Sequence, residues 1–140
     1  RPDADFTLAN FMRANIYSAF ATLAMGLEIL KNEDVAVDTL LGHGGLFKTP
    51  GVAQRYLAAA AGAPVTCMET AGEGGPYGMA LLAAYRLHRA EGETLADYLK
   101  TRVFAGASST TVTPDAADRA GFAAFLREYE RALKAERAVV

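Results

Sequence analysis

The stretch Gly42-His43-Gly44-Gly45-Leu46-Phe47-Lys48-Thr49-Pro50 constrains this chain more than any other. It reads as a strand that ends in glycines, turns tightly and opens a helix. Two adjacent residues without a β-carbon let a backbone come close to a ligand and adopt positive φ. Thr49 offers an N-cap oxygen and Pro50 suits the first helical position. Free N–H groups at such a helix start attract anions. Alone, this pattern fits a ligand-free strand-to-helix connection better than a nucleotide or phosphate site.

The surrounding pattern alternates in the same way. Thr7 is set to cap a first helix running to about Lys31. Its apolar positions Leu8, Phe11, Met12, Ile16, Phe20, Leu23, Leu27 and Leu30 are spaced at a helical period, and Ala19, Ala21, Ala24 and Gly26 thin it for close packing. Val35 to Leu41 predicts a short strand entering the glycine turn. Thr49 to Ala61 predicts a second helix with Val52, Tyr56 and Leu57 toward the core, closed by Gly62 at its C-terminus. Pro64 to Met68 predicts a second buried strand. A second glycine turn, Gly72-Glu73-Gly74-Gly75-Pro76, leads into a helix through about Ala90 whose Gly78, Ala80, Ala83 and Ala84 suit packing on a sheet. Thr94 and Asp97 resemble a capping box. Ser108 to Thr113 reads as loop or a short edge strand. Thr113-Pro114 repeats the helix-start signal before a last helix with Phe122, Phe125, Leu126, Tyr129 and Leu133 on its apolar face.

Helix, strand, turn, helix, strand, turn, helix is the order of an α/β fold with parallel strands and flanking helices on both faces. The 140 residues suit one domain. Two strands fall short of a usual sheet of about four to six. The opening Arg1-Pro2-Asp3 reads like a loop entered in mid-course, so residues 1–140 are expected to be a single-domain fragment of a longer protein, with its sheet completed elsewhere.

Composition removes several function classes. Fourteen basic and sixteen acidic side chains leave a net charge of −2, with no electrostatic reason for a nucleic-acid partner. The longest apolar stretch, Ser18 to Leu27, is interrupted at Glu28 and is shorter than the ~20 residues a membrane helix needs. A single cysteine, Cys67, excludes an internal disulfide, suits a reducing cytoplasm and reads as a small core residue. The two histidines, His43 and His88, give no metal-ligand spacing and no Ser–His–Asp or Cys–His set. The charges from Arg127 to Arg137 read as a solvated helix face.

Taken together, Gly44-Gly45, Gln54, Pro64-Val65, Glu69 and Gly78-Met79-Ala80, in that order and spacing, resemble the C-terminal domain of the FGGY carbohydrate kinases. Members phosphorylate sugars and polyols with ATP. The resemblance covers roughly residues 5 to 90. It implies the C-terminal part of an actin-like, ribonuclease H-like ATPase domain and, for the parent protein, a Mg²⁺- and ATP-dependent transfer of the γ-phosphoryl to a sugar hydroxyl. A pentulose such as xylulose or ribulose is the expected acceptor. By the same resemblance, Gly44 and Gly45 form the adenosine motif, while Leu46, Phe47 and Gln54 line or support the adenine–ribose pocket. The expected partners are ATP or ADP and, through an N-terminal domain, the sugar.

His43 departs from the small residue many members carry there. The resemblance places the catalytic aspartate, the sugar contacts and the phosphate loops upstream, so no catalytic or metal-binding residue is expected in this chain and the fragment alone should be inactive. Lys48 fits a contact to phosphate, and equally an exposed lysine near a helix start; Glu69 and Glu73 fit contacts to nucleotide or Mg²⁺, but a loop that needs glycine for its backbone accounts for their turn better. The alternative of another class is a non-catalytic interaction module that dimerises through an exposed sheet edge or its small-residue helices.

Overall fold

A computed structural model describes residues 4–138, so the Arg1-Pro2-Asp3 loop reading lies outside the described residues. Helix α1 (Leu8–Asn32) starts at Thr7, whose hydroxyl accepts from the Asn10 N–H at 3.1 Å. Strand β1 is only Leu40–Leu41, much shorter than the expected Val35–Leu41. A 3-10 turn at Gly45–Lys48 precedes α2 (Val52–Ala61), which ends at Gly62 in the left-handed region, as its sequence position predicts. Strand β2 (Val65–Met68), a 3-10 turn at Ala71–Glu73 and helix α3 (Gly74–His88) follow.

The remainder comprises a short helix α4 (Leu95–Tyr98) that runs on as π-helical turns through Leu99–Val103, strand β3 (Ser109–Val112) and helix α5 (Ala116–Arg137). The Thr94–Asp97 cap forms as expected, with the Asp97 N–H donating to the Thr94 hydroxyl at 3.1 Å. Asp115, rather than Thr113, caps α5: its Oδ1 accepts from the N–H groups of Ala117 and Asp118 at 2.9 and 3.0 Å. A carboxylate there also complements the helix dipole, which a threonine does not.

The sheet order is β1-β2-β3. The β1–β2 pair is parallel, with Leu40 opposite Val65, as the alternating pattern requires. Strand β3 is the edge strand allowed for at Ser108–Thr113, and it runs antiparallel to β2, with Val65 opposite Val112 and Met68 opposite Ser109. The Thr66 and Thr111 hydroxyls meet across that ladder at 2.8 Å. Helix α2 lies on one sheet face, touching β2 and β3, and α1 and α5 pack behind it.

The core therefore sits between the sheet and three helices: Tyr17, Phe20 and Ala24 of α1, Ala53, Leu57 and Ala58 of α2, Val65 of β2 and Phe122 of α5. Tyr17 is its aromatic hub, with ring centroids 5.4 Å from Tyr56, 5.1 Å from Phe122 and 5.3 Å from Phe125. These are edge or tilted contacts, the arrangement aromatic quadrupoles favour. Burial pushes the Tyr17 hydroxyl above its ordinary pKa. The helical period of α1 is correct, but its buried stripe is Tyr17, Phe20, Ala21 and Ala24, while Leu8, Phe11, Met12, Leu23 and Leu30 stay exposed. Small alanines let α2 approach α1 closely, and the larger side chains on either side are left outside the contact. In α2, Leu57 is buried while Val52 is exposed, because the buried face of the helix runs through Ala53, Leu57 and Ala58 and Val52 lies beside it.

Helix α3 corrects the expectation of helices on both faces. It buries no residue, and a β-carbon at Gly78 would meet nothing within 4 Å. Its large apolar side chains Met79, Leu82 and Leu87 stay exposed. It is tethered at its start by the Ala71–Glu73 turn and near its end by Tyr85, whose ring lies 5.4 Å from that of Tyr98. The opposite sheet face, carrying Leu41, Thr66 and Thr111, is left without a covering helix among the described residues.

Candidate functional site

The two glycine turns touch each other at the carboxyl ends of the parallel strands. The Gly44 N–H donates to the Ala71 carbonyl at 2.7 Å, and a β-carbon on Gly74 would lie 3.4 Å from the Gly44 α-carbon. Both residues are in positive-φ conformations, +99° at Gly44 and +51° at Gly74. Of the second turn's glycines, Gly74 is thus the one needed where one stretch of backbone approaches another, a contact that local sequence does not disclose. The side chain of Lys48 lies over Gly72, with its Cγ 3.0 Å from where a β-carbon would be.

The expected helix start at Thr49-Pro50 is displaced. Thr49 is extended, and Pro50-Gly51 forms a turn with Gly51 at φ +76°. Proline followed by glycine at positive φ is the signature of a type II turn. That turn separates the 3-10 segment from α2, so the free N–H groups of α2 do not follow directly on Gly44-Gly45.

Beside the joined turns lies a cleft of about 650 Å³, walled by Phe47, Lys48 and Pro50 from the first turn, Gln54 of α2, Cys67 to Glu69 of β2 and its end, Ala71 to Glu73 of the second turn, and Ser108 to Thr110 of β3. Of the five residues the sequence singles out, Phe47 and Gln54 border this cleft. Gly44, Gly45 and Leu46 do not. Gly44 forms the junction between the turns, and a β-carbon at Gly45 would meet only open space. Leu46 is 47 % exposed.

Phe47 owes its position to Gly42. A β-carbon on that buried glycine would come within 2.5 Å of the ring's Cε1 and 2.7 Å of the Cys67 Sγ. Burial pushes the Cys67 thiol above its ordinary pKa, more than a hydrogen bond with the Gly42 backbone lowers it. Cys67 is accordingly a packing residue, as its place on an apolar strand predicts.

Gln54 is 4 % exposed, and its amide is taken up within the protein. Its Nε2 donates to the carbonyls of Val65 at 3.2 Å and Thr110 at 2.9 Å, and its Oε1 accepts from the Thr110 hydroxyl at 3.3 Å. One side chain of α2 thereby fastens β3 to β2. The entry to β3 is fixed again at Glu69, whose N–H donates to the Ser108 carbonyl at 3.1 Å and whose carboxylate accepts from the Ser108 hydroxyl at 2.7 Å.

Ser108 and Thr110 are the site-wall residues that the sequence does not signal. They lie 39 and 56 positions from the partners that hold them, beyond the reach of any local motif. His43 is exposed and outside the cleft lining. Among the described residues, no group of three or more His, Cys, Asp or Glu side chains is placed to hold a metal ion. No helix of these residues is long and apolar enough to cross a membrane.

A second cleft, about 540 Å³, opens between α1, the C-terminal end of α2 and α5. None of the glycine-turn residues reaches it, and its floor is mostly alanine with Phe122 and Leu126. The cleft at the strand ends is the better site: in open α/β sheets, ligands bind in the crevice beyond the carboxyl ends of the strands.

A mixed α/β unit with abutting glycine turns and a ligand-sized crevice at its strand ends defines the class. Residues 2–87 match the C-terminal domain of the FGGY family of carbohydrate kinases, and the chain belongs to that family. The matched residues include both glycine turns, Gln54 and most of α3, but not α4, β3 or α5. No curated protein and no solved structure matches the chain.

Proposed function

We propose that this chain supplies the adenosine-binding wall of an ATP-dependent sugar kinase that transfers the γ-phosphoryl group to a sugar hydroxyl, with a pentulose such as xylulose or ribulose as acceptor. The observation that carries this reading is the cleft beside the two joined glycine turns. Its Phe47, Pro50 and Met68 offer apolar surface for a base, while Lys48 and the hydroxyls of β3 offer polar contacts. A few polar groups set in an apolar concavity are the usual make-up of a small-molecule site.

The described residues include no metal cluster, so no step through Mg²⁺ is assigned to them. Phosphoryl transfer depends mainly on positioning and electrostatic stabilisation, so a wall without a catalytic acid or base still contributes by orienting the nucleotide. The sugar site and the catalytic base belong, on this reading, to a further domain of the kinase.

Calorimetric titration of the chain with ATP and ADP at millimolar concentration tests the reading, alongside NMR of the Gly44, Gly45 and Phe47 amides. Binding heat and local shift changes are expected. Absence of both overturns it. A second reading, a dimerising module, draws on the outer edges of β1 and β3, each of which lacks a strand partner among the described residues. Light scattering that gives a concentration-independent dimer silent to nucleotide favours that module.

A further inference from the structure

We propose that Thr110 is a specificity-determining contact in the cleft, an acceptor for a hydrogen bond donated by the nucleoside, with its polarity set by Gln54. This rests on the nucleotide reading above and extends it to a strand outside the family match.

The argument is one of donor bookkeeping. A carbonyl oxygen can only accept a hydrogen bond. The Gln54 amide faces two of them, Val65 O at 3.2 Å and Thr110 O at 2.9 Å, so its NH₂ group must be the end that faces them. Its Oε1 is then an acceptor, and the Thr110 hydroxyl at 3.3 Å must donate to it. A threonine hydroxyl has one proton and two lone pairs. With the proton committed to Gln54, Thr110 Oγ1 offers lone pairs alone.

Thr110 borders the cleft and is an exposed residue, within reach of a ligand seated there. Its backbone is pinned as well: Thr110 lies opposite Cys67 in the β2–β3 ladder, and the Gln54 amide holds its carbonyl. The acceptor is therefore both polarised and fixed in place. Gln54 acts here as a positioning residue, without itself spending a donor on the ligand.

The matching ligand group is a hydrogen-bond donor on the nucleoside. In adenosine that is the exocyclic amino group or a ribose hydroxyl. The test is calorimetric binding of four triphosphates, ATP, purine riboside triphosphate (no amino group), 2′-deoxy-ATP and 3′-deoxy-ATP, to the wild-type chain, Thr110→Val and Thr110→Ser.

The wild-type chain should bind one of the three analogues about 2- to 10-fold more weakly than ATP, the range of one net hydrogen bond. Thr110→Val should weaken ATP by the same factor and leave that one analogue unchanged, and which analogue it is names the donor. Thr110→Ser, which keeps the oxygen, should bind like wild type. Two results overturn the inference while sparing the nucleotide reading: equal wild-type affinity for all four triphosphates, or a Thr110→Val loss shared by all four. The first needs no variant to fold. A wild-type chain that binds none of them overturns both.

Discussion

The ring of Phe47 lies against Gly42 so closely that a β-carbon there would sit 2.5 Å from its Cε1. The last residue before the turn and the aromatic five positions on are thus packed as a pair, with the Cys67 sulfur closing the other side. Gly42→Ala must displace the ring, the sulfur or the strand. Overpacking of this kind costs about 1–3 kcal/mol. Urea unfolding should give a lower midpoint with an unchanged slope, and the Phe47 ring resonances should move. A wild-type midpoint would show that the site has room the geometry does not display.

Gly44 and Gly45 are neighbours with opposite requirements. Gly44 has φ +99° and ψ −179°, a region open essentially to glycine alone. Gly45 has no positive φ, and its β-carbon position is empty. Gly44→Ala should therefore cost about 1–3 kcal/mol, while Gly45→Ala should stay within about 0.5 kcal/mol of wild type. Parallel denaturation curves of the two variants decide this, and equal midpoints would count against the backbone argument.

The contrast marks what the sequence made legible. The order of elements through α3, the caps at Thr7, Thr94 and Gly62, and the family itself followed from local signals: helical period, side-chain chemistry at helix ends and motif spacing. What did not follow was set by distant partners. The apolar stripe of α1 gave the period but not the face, because α2 and α5 pack on Tyr17, Phe20, Ala21 and Ala24, and Leu8, Phe11, Met12, Leu23 and Leu30 fall outside that contact. The Thr49-Pro50 signal failed because Gly51 converts Pro50 into a turn residue. The wall formed by Ser108 and Thr110 was invisible, since only the folded sheet carries β3 to the cleft.

Gln54 should be worth more to stability than a polar side chain usually is. Gln54→Leu keeps most of the volume but takes the donors away from the Val65 and Thr110 carbonyls, the first of them buried. A buried polar group left unpaired costs about 1–3 kcal/mol. Hydrogen exchange should locate the loss, with faster exchange along Ser109–Val112 and unchanged protection in the α1–α5 contact. Uniform loss of protection would mean that β3 does not open separately from the core.

The last prediction concerns pH. Arg55 of α2 grips Asp118 of α5 with two bonds, Nη2 to Oδ1 at 2.8 Å and Nε to Oδ2. The hydrogen bond from Arg55 holds the Asp118 carboxyl below its ordinary value of 3.8, outweighing the opposing effect of burial, with further help from the Arg55 and Arg13 charges. A carboxylate whose pKa is lowered by folding binds fewer protons folded than unfolded near that pH. Its stabilisation is therefore complete above about pH 4–5 and is lost as pH falls through 3.8 toward the folded value. Asp118→Asn removes the ionisable group, so wild type should be the more stable protein at pH 7, and the difference should shrink steadily below about pH 4. The pair bridges α2 to α5 on the outside of the core, so salt should narrow the gap at pH 7 as well. Unfolding curves of both proteins from pH 3 to 7 give the comparison directly, and a difference that persists unchanged at pH 3 would place the role of Asp118 in packing or helix capping instead of in its charge.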